Sequence, residues 1–370
     1  MVPGFLKFEE CFMERIWGGD QMRRMLNKAV PNGKTIGESW MIADHAAHTS
    51  VVSEGPLAGR TLHQLLEQDR EGFLGVCAAP THDGRFPLLL KLIDAGQDLS
   101  VQVHPDDELA YQLGEQDMGK TEMWHVLETE GQCRIMLGLR RDVTREALEQ
   151  CLRDGGDVIG LMGQLPVRGG ESFHVPSGTV HAIGGGVLLA EIQQNSNVTY
   201  RLFDYNRRDA DGKRRELHLE KGLQAIRFQE ALVRPSTALR VVESGATREF
   251  LAACRYFAAE KVWPGGRRVY VGPAGSFHIL LSLEASLTLE GDTGACRLQR
   301  GEAALVPAAM PAWQVVGRGA YLEYYVPDLK EDVIQPLKRH GYADAQILQL
   351  GGVAERNDLS VVLAQKNMKL

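Results

Sequence analysis

Cysteine is scarce in this sequence, and no two cysteines are close. Six are scattered through 370 residues (Cys11, Cys77, Cys133, Cys151, Cys254 and Cys296) with no Cys-x-x-Cys spacing. That pattern gives no thiolate metal site and suits reduced thiols in a cytoplasmic protein. A run of Lys and Arg is also missing, and the formal net charge is -7. General nucleic-acid binding is argued against, and a negatively charged substrate would have to be met by local Lys or Arg. The N-terminal MVPGFLKFEE has neither the basic n-region nor the apolar h-region of a signal peptide. The longest stretch free of Asp, Glu, Lys and Arg, Ser172–Ala190, is interrupted by His174, Pro176, His181 and several glycines. No membrane span is expected there. Helical patterning is sparse too.

What fills the chain is short apolar-alternating runs between Gly, Pro and Asp turns, such as FPLLLKLIDAGQDLSVQV, MWHVLETEGQCRIMLGL and SFHILLSLEASLTLEGDTGACRL. This is the pattern of a mainly β protein. Short helices are expected at about 61–73, where Thr61 and Gln64 form a capping box, at 142–163 in DVTREALEQCLRDGG, and at 216–228 in LHLEKGLQAI. The length allows two domains. An internal echo supports that division: GESFHVPSGTVHAI from Gly170 and GEAALVPAAMPAWQV from Gly301 match in step at Gly, Glu, Val and Pro. Each copy reads as a Gly-acidic turn, a strand and a proline corner. Where the first copy has His181 the second has Ala312, so one copy is expected to hold polar chemistry and the other to be packing. The resulting division is 1–235 as a catalytic domain, 236–328 as a degenerate copy lacking metal ligands, and 329–370 as an extension without an assigned role.

Strand side chains alternate between faces. In LSVQVHP the alternation puts Ser100, Gln102 and His104 on one face and Leu99, Val101 and Val103 on the other. In GKTEMWHVL, Lys120 and Glu122 share a face with Trp124, opposite His125. His181 follows a Gly-containing turn, Glu191 and Gln193 share a face in LLAEIQQNS, and Arg201 lies in VTYRLF. If these faces line one interior, Gln102, His104, Glu122 and His181 converge. Two imidazoles and a carboxylate suit zinc or Fe(II), with the glutamine oxygen as a weaker ligand. Taken singly, each residue also reads as an ordinary surface or hydrogen-bonded side chain.

At these residues the sequence resembles the class I phosphomannose isomerases of the cupin superfamily, in their compact bacterial form. The likeness is carried by IWGG (16–19), IGESW (36–40), FPLLLKLIDAGQDLSVQVHPDD (86–107), GKTEMWHVL (119–127), VPSGTVHAIGGGVLLAEIQQNSNVTYRLFDYNR (175–207) and the second copy around Gly301. The resemblance implies two cupin barrels with a few short helices, and one zinc ion held by Gln102, His104, Glu122 and His181. It further implies a catalytic Arg201, pocket residues Lys120 and Glu191, and Lys91 and Ser100 near the sugar phosphate. The implied reaction interconverts mannose 6-phosphate and fructose 6-phosphate through a cis-enediol, with Glu191 and Lys120 both open as proton carriers. The expected setting is a cytoplasmic monomer or small homo-oligomer acting on a small-molecule sugar phosphate. A cupin Fe(II) dioxygenase, or a sugar-binding cupin without catalysis, are the other readings.

Overall fold

The computed structural model of the chain describes residues 4–208, 211–228, 234–272, 274–352 and 357–367. It is mainly β, with short helices between strands. In chain order the strands are β1 (Cys11–Gly19), β2 (Ile36–Ile42), β3 (Asp44–His45), β4 (His48–Thr49), β5 (Leu88–Ala95), β6 (Val101–Val103), β7 (Glu122–Thr129), β8 (Arg134–Leu139), β9 (Met162–Pro166), β10 (Ser172–Val175), β11 (His181–Ile183), β12 (Val187–Gln194) and β13 (Tyr200–Phe203). The later strands are β14 (Leu239–Glu243), β15 (Ala246–Ala253), β16 (Ala258–Trp263), β17 (Gly266–Tyr270), β18 (His278–Ser282), β19 (Leu287–Gly291), β20 (Gly294–Leu298), β21 (Ala303–Val306), β22 (Trp313–Gly317) and β23 (Tyr321–Tyr325).

The echo in the sequence is a repeat of topology. One six-stranded sheet has the order β1-β2-β5-β12-β7-β10, and another has β14-β15-β16-β23-β18-β21. The five-stranded sheet β13-β6-β11-β8-β9 is matched, apart from β13, by β17-β22-β19-β20. The two copies of the Gly-acidic turn stand just before the corresponding strands β10 and β21. The chain clusters into two compact units that interleave along the sequence. The site unit comprises Phe12–Trp40 and Lys91–Pro235; the companion unit comprises Met1–Cys11, Met41–Leu90 and Ser236–Leu370.

Alternation decides what each face of the site unit meets. Trp17, Ile93, Leu99, Trp124, Ile135, Leu137 and Leu189, drawn from both of its sheets, form one buried cluster. Val101 and Val103 point the other way, into a second cluster with Met136, Ala182, Tyr200, Leu148 and Leu223. The last two come from the helices Arg145–Asp154 and Leu219–Ala225, which cover the outer face of the five-stranded sheet. Thr144 starts the first of these by accepting from Ala147 N (3.2 Å), and Gly155, at φ 67°, ends it. The helical stretch after Thr61 runs as Leu62–Gln68 and Arg70–Leu74, with the capping box formed. The charged tail is helical as well. Its Val333, Ile334, Leu337, Ile347, Leu350 and Leu359 share a core with Leu239, Phe250, Ala258 and Tyr325, so it covers an apolar face of the companion unit. Among the described residues no helix is long and apolar enough to cross a membrane.

The second copy corrects one expectation. Its interior is not packing alone, because Arg248, Glu260, Arg268, His278 and Glu323 are drawn into it with Tyr270 and Tyr325. Arg268 lies in RRVY and Glu323 in YLEYY. The ladders turn them inward, where each carboxylate finds a guanidinium: Arg248 with Glu260, and Arg268 with Glu323. The strand starts also move the equivalence at His181 by one residue. His181 is the buried first residue of β11 and Trp313 the buried first residue of β22, whereas Ala312 is exposed, so Trp313 stands in its place.

Candidate active site

The polar face of LSVQVHP enters the site unit. Ser100, His104, Glu122, His181 and Glu191 are all buried, and Gln102 nearly so. His181 on β11 pairs with Gln102 on β6, and Arg201 on β13 pairs with Gln102 from the other side. The nitrogen and oxygen ligand atoms of His104, Glu122 and His181 lie within 4.8 Å of one another. Among the described residues this is the one group of three or more His, Cys, Asp or Glu arranged to hold a metal ion.

The surrounding backbone sets the two imidazoles. His104 Nδ1 stands 2.8 Å from Val198 O, and His181 Nδ1 stands 2.9 Å from Thr179 O. Only an N–H can face a carbonyl, so both Nδ1 atoms carry the proton and both Nε2 lone pairs face the centre. Those atoms are 3.5 and 3.4 Å from the Glu122 oxygens. Burial pushes the His104 imidazole well below its usual value and holds His181 at about 4, so both rings are neutral. Both carboxylate oxygens of Glu122 are buried, and the charged donor beside them is Lys120 Nζ, 2.7 Å from Oε2. Burial, reinforced by the charge of Glu191 and opposed by Lys120, raises this carboxyl to about 7. Gln102 presents Nε2 at 3.2 Å from His181 Nε2. A half-turn of the amide would present its oxygen instead. Neutral rings with inward lone pairs, a buried carboxylate and an adjacent amide fit a divalent cation.

A second polar layer lies beside this group. Lys120 Nζ is 2.7 Å from Glu122 Oε2, 3.3 Å from His104 Nε2 and 3.6 Å from Glu191 Oε1. Lys91 Nζ is 3.2 Å from Glu191 Oε1 and 4.0 Å from Glu38 Oε2. Trp124 Nε1 donates to Glu191 Oε2 at 2.9 Å. Burial alone would raise the Glu191 carboxyl, but Lys120 and Lys91 hold it below its ordinary value. Glu38 follows the same logic more strongly: against burial, Lys91 and Arg15 bring it down to about 2. Lys91 therefore sits between two carboxylates, whereas Ser100 Oγ lies 3.4 Å from Gln102 Oε1.

Arg201 occupies a different environment. Its Nη1 donates to Glu216 O at 2.9 Å, but its buried Nε has no hydrogen-bond partner. Burial, with Arg215 and Arg207 nearby, lowers its pKa. His125, on the opposite face of β7 from Glu122, has Nδ1 2.8 Å from Ser172 Oγ.

The bonds around the site explain Gln194 and Ser196 of the run EIQQNS as scaffolding. Gln194 Oε1 accepts from Thr121 N, and its Nε2 donates to Asp107 Oδ1, both at 2.9 Å. Asp107 Oδ1 also accepts from Gly119 N (2.9 Å), and Ser196 Oγ donates to Met118 O (2.7 Å). These bonds clamp the segment that carries Lys120 against the segment that carries the Val198 carbonyl. Gly119 is required there, since a Cβ would fall 2.4 Å from backbone atoms of Asp106 and Asp107. Glu38, Trp40 and Arg15 were not among the residues expected in the site. Glu38 accepts from Arg15 Nε and Trp40 Nε1, each at 2.8 Å. The available signal was the polar-aromatic alternation of IGESW on a strand buried along its whole length.

Fold and site together define a cupin-type protein with a candidate metal centre. Mannose-6-phosphate isomerase ManA of Bacillus subtilis is 41% identical over 256 residues, covering 69% of this chain and 78% of that protein. Mannose-6-phosphate isomerase of Streptococcus mutans is 32% identical over 306 residues, covering 82% of this chain and 92% of that one. The crystal structure of the mannose 6-phosphate isomerase from Bacillus subtilis aligns with a TM-score of 0.79 at 32% identity, over 87% of this chain and 99% of that chain. Residues 5–125 match the family described as phosphomannose isomerase type I, catalytic domain, and the chain belongs to the type I phosphomannose isomerase family.

Proposed function

We propose that this isomerase interconverts mannose 6-phosphate and fructose 6-phosphate through a cis-enediol, with one zinc ion held by Gln102, His104, Glu122 and His181. The observation that carries this reading is the pair of neutral imidazoles with inward Nε2 lone pairs around the buried Glu122 carboxylate. When bound, the zinc supplies Lewis-acid polarisation of the sugar's carbonyl and neighbouring hydroxyl. In our reading the site unit is a catalytic cupin barrel within 1–235, and 236–328 forms a second barrel without metal ligands. Within 329–370, the described helices close an apolar face of the second barrel. A cytoplasmic setting, as a monomer or small homo-oligomer, is part of the same proposal.

The chain's own groups divide the proton work. Moving a proton between C1 and C2 needs a base that is ionised at neutral pH and placed beside both carbons. Glu191 meets the first requirement because two ammonium groups flank Oε1, and Trp124 fixes the carboxylate by donating to Oε2. Lys120 Nζ, a charged donor, is placed to hold a proton at the sugar oxygen where negative charge develops. Arg201, with its Nε unsatisfied, would steady that oxygen from the mouth of the site. Ser100 orients the Gln102 amide, and Lys91 acts on the substrate side through Glu191.

An iron dioxygenase would share the His–Glu–His set but leaves Lys120, Glu191 and Arg201 without a task. A coupled assay converting mannose 6-phosphate to fructose 6-phosphate tests the proposal. Chelation should abolish the activity and zinc should restore it. Full activity in a sample shown to be metal-free, or oxygen uptake with bound iron, would overturn it.

A further inference from the structure

The companion unit contains a cavity of about 230 Å³ in the topological place of the candidate active site. Val175 pairs with Glu122, and the corresponding Val306 pairs with His278. Glu191 pairs with Trp124, and Glu323 pairs with Leu280, two residues beyond His278 as Trp124 is two beyond Glu122. With Tyr270 and Trp313 replacing Gln102 and His181, the positions of Gln102, Glu122, His181 and Glu191 each have a counterpart. Tyr270, His278 and Glu323 line the cavity together with Arg248, Arg268 and Tyr325.

This interior has kept polar chemistry rather than collapsing into an apolar core. Glu323 Oε2 accepts from Arg268 Nη1 (3.1 Å) and Tyr270 Oη (2.9 Å), while Oε1 lies 2.8 Å from His278 Nδ1. Glu260 is held by Arg248 through two 2.7 Å bonds and accepts from Tyr325 Oη at 2.5 Å. Buried ion pairs of this kind stabilise no better than well-packed apolar residues of the same volume, so stability alone does not account for two of them side by side. Arg248, Arg268 and His278 keep 13%, 15% and 16% of their side chains accessible.

The lining defines the ligand. Arg248, Arg268 and Arg339 face Glu243, Glu323, Glu331 and Asp332 in the lining, so no excess of positive charge remains to hold a phosphate. Metal is not indicated, since the one metal-type group among the described residues is in the other unit. What remains is a dense mixture of donors and acceptors beside aromatic surface. Tyr270 and Trp313 are stacked at 3.9 Å with ring planes 2° apart, and His278 stands edge-on to both. Vicinal hydroxyls need donors and acceptors alternately, and the C–H face of a sugar ring packs against aromatics. The cavity has room on the order of seven or eight waters, which limits the ligand to one small ring.

We propose that the companion unit binds a neutral monosaccharide, unphosphorylated, in the cavity between Arg268, Tyr270, His278, Glu323 and Tyr325. The test uses the full chain and D-mannose as the probe, followed by saturation-transfer NMR and calorimetry. Wild type should show saturable binding in the range of about 1–10 mM. His104→Ala, which disables the site unit, should retain it. Ala274→Trp adds bulk at the cavity wall without breaking an ion pair, and it should weaken binding by at least about tenfold; Glu323→Gln should do the same. In the His104→Ala background mannose 6-phosphate should bind at least about tenfold more weakly than mannose. Absence of saturation at about 100 mM mannose overturns the proposal. So does binding that disappears in His104→Ala but ignores Ala274→Trp, or a preference for the phosphorylated sugar.

Discussion

Two interiors with the same strand order treat buried charge in opposite ways. In the companion unit Glu260 and Glu323 each have a guanidinium and a phenol within hydrogen-bond distance. In the site unit Glu122 has neither, and its nearest atoms are a lysine ammonium and two imidazole lone pairs. Burial therefore raises Glu122 to about 7, whereas Arg268 and His278 overcome burial and hold Glu323 at about 2. Topology sets where the polar group sits; the partners of its carboxylates set whether that group is finished or still requires a ligand. A ligand-requiring site costs stability in the free protein and recovers it on binding.

The largest effect should come from the unfinished side. His104→Ala removes one inward lone pair, and we expect loss of bound metal with a fall in kcat of about a thousandfold or more, several kcal/mol. Elemental analysis and the coupled assay measure the two effects. The chain should stay folded, so a global loss of folding would make His104 a structural residue instead. The reciprocal change is Arg248→Met, which strands the buried Glu260. It should cost about 3–5 kcal/mol of stability by chemical denaturation while the metal content per folded chain stays the same. A stability loss under about 1 kcal/mol would mean that this pair behaves as a surface pair.

Much of this contrast was legible in the sequence on one side only. Alternation in LSVQVHP, with Glu122 and His181, pointed to an inward polar face because imidazoles and an amide are unusual company on a strand. Glu38 was hidden, since its role depends on Lys91 and Arg15 arriving from other strands. The polar interior of the companion unit was hidden for a different reason. Glu323 alternates with apolar neighbours and Arg268 follows another arginine, just as solvent-facing residues do, and a charged residue's direction is fixed only by cross-strand register. Matching the two copies by letters placed Ala312 opposite His181 and so suggested an emptied position; the strand start places Trp313 there, stacked on Tyr270.

Arg201 tests whether the unfinished side extends to its mouth. Arg201→Ala should lower kcat by about a hundred- to a thousandfold, in line with loss of one preorganised donor, with metal content unchanged. Loss of metal would instead make Arg201 a support for its cross-strand neighbour Gln102.

The smallest expected effect concerns a buried carboxylate remote from the chemistry. Asp94 Oδ2 accepts from Met22 N at 2.7 Å, but Oδ1 has no hydrogen-bond partner. Gly19 lies so close that a Cβ there would stand 2.0 Å from Oδ1. Burial raises this carboxyl to about 6, from 3.8. The folded chain therefore binds the proton more tightly than the unfolded chain. The stabilisation is complete below about 3.8 and is lost as pH rises through about 6. Glu323 has the opposite sign: its contribution is present above about 4.5 and is lost as pH falls through about 2. Asp94→Asn keeps an oxygen for Met22 N and removes the ionisation. It should flatten the wild-type loss of stability between about pH 4 and 7 by on the order of 2 kcal/mol, measured as the difference in denaturation midpoints of wild type and variant at the two pH values. An unchanged slope would mean that Asp94 ionises freely, and that the bond from Met22 N is enough to keep its carboxylate charged inside the fold.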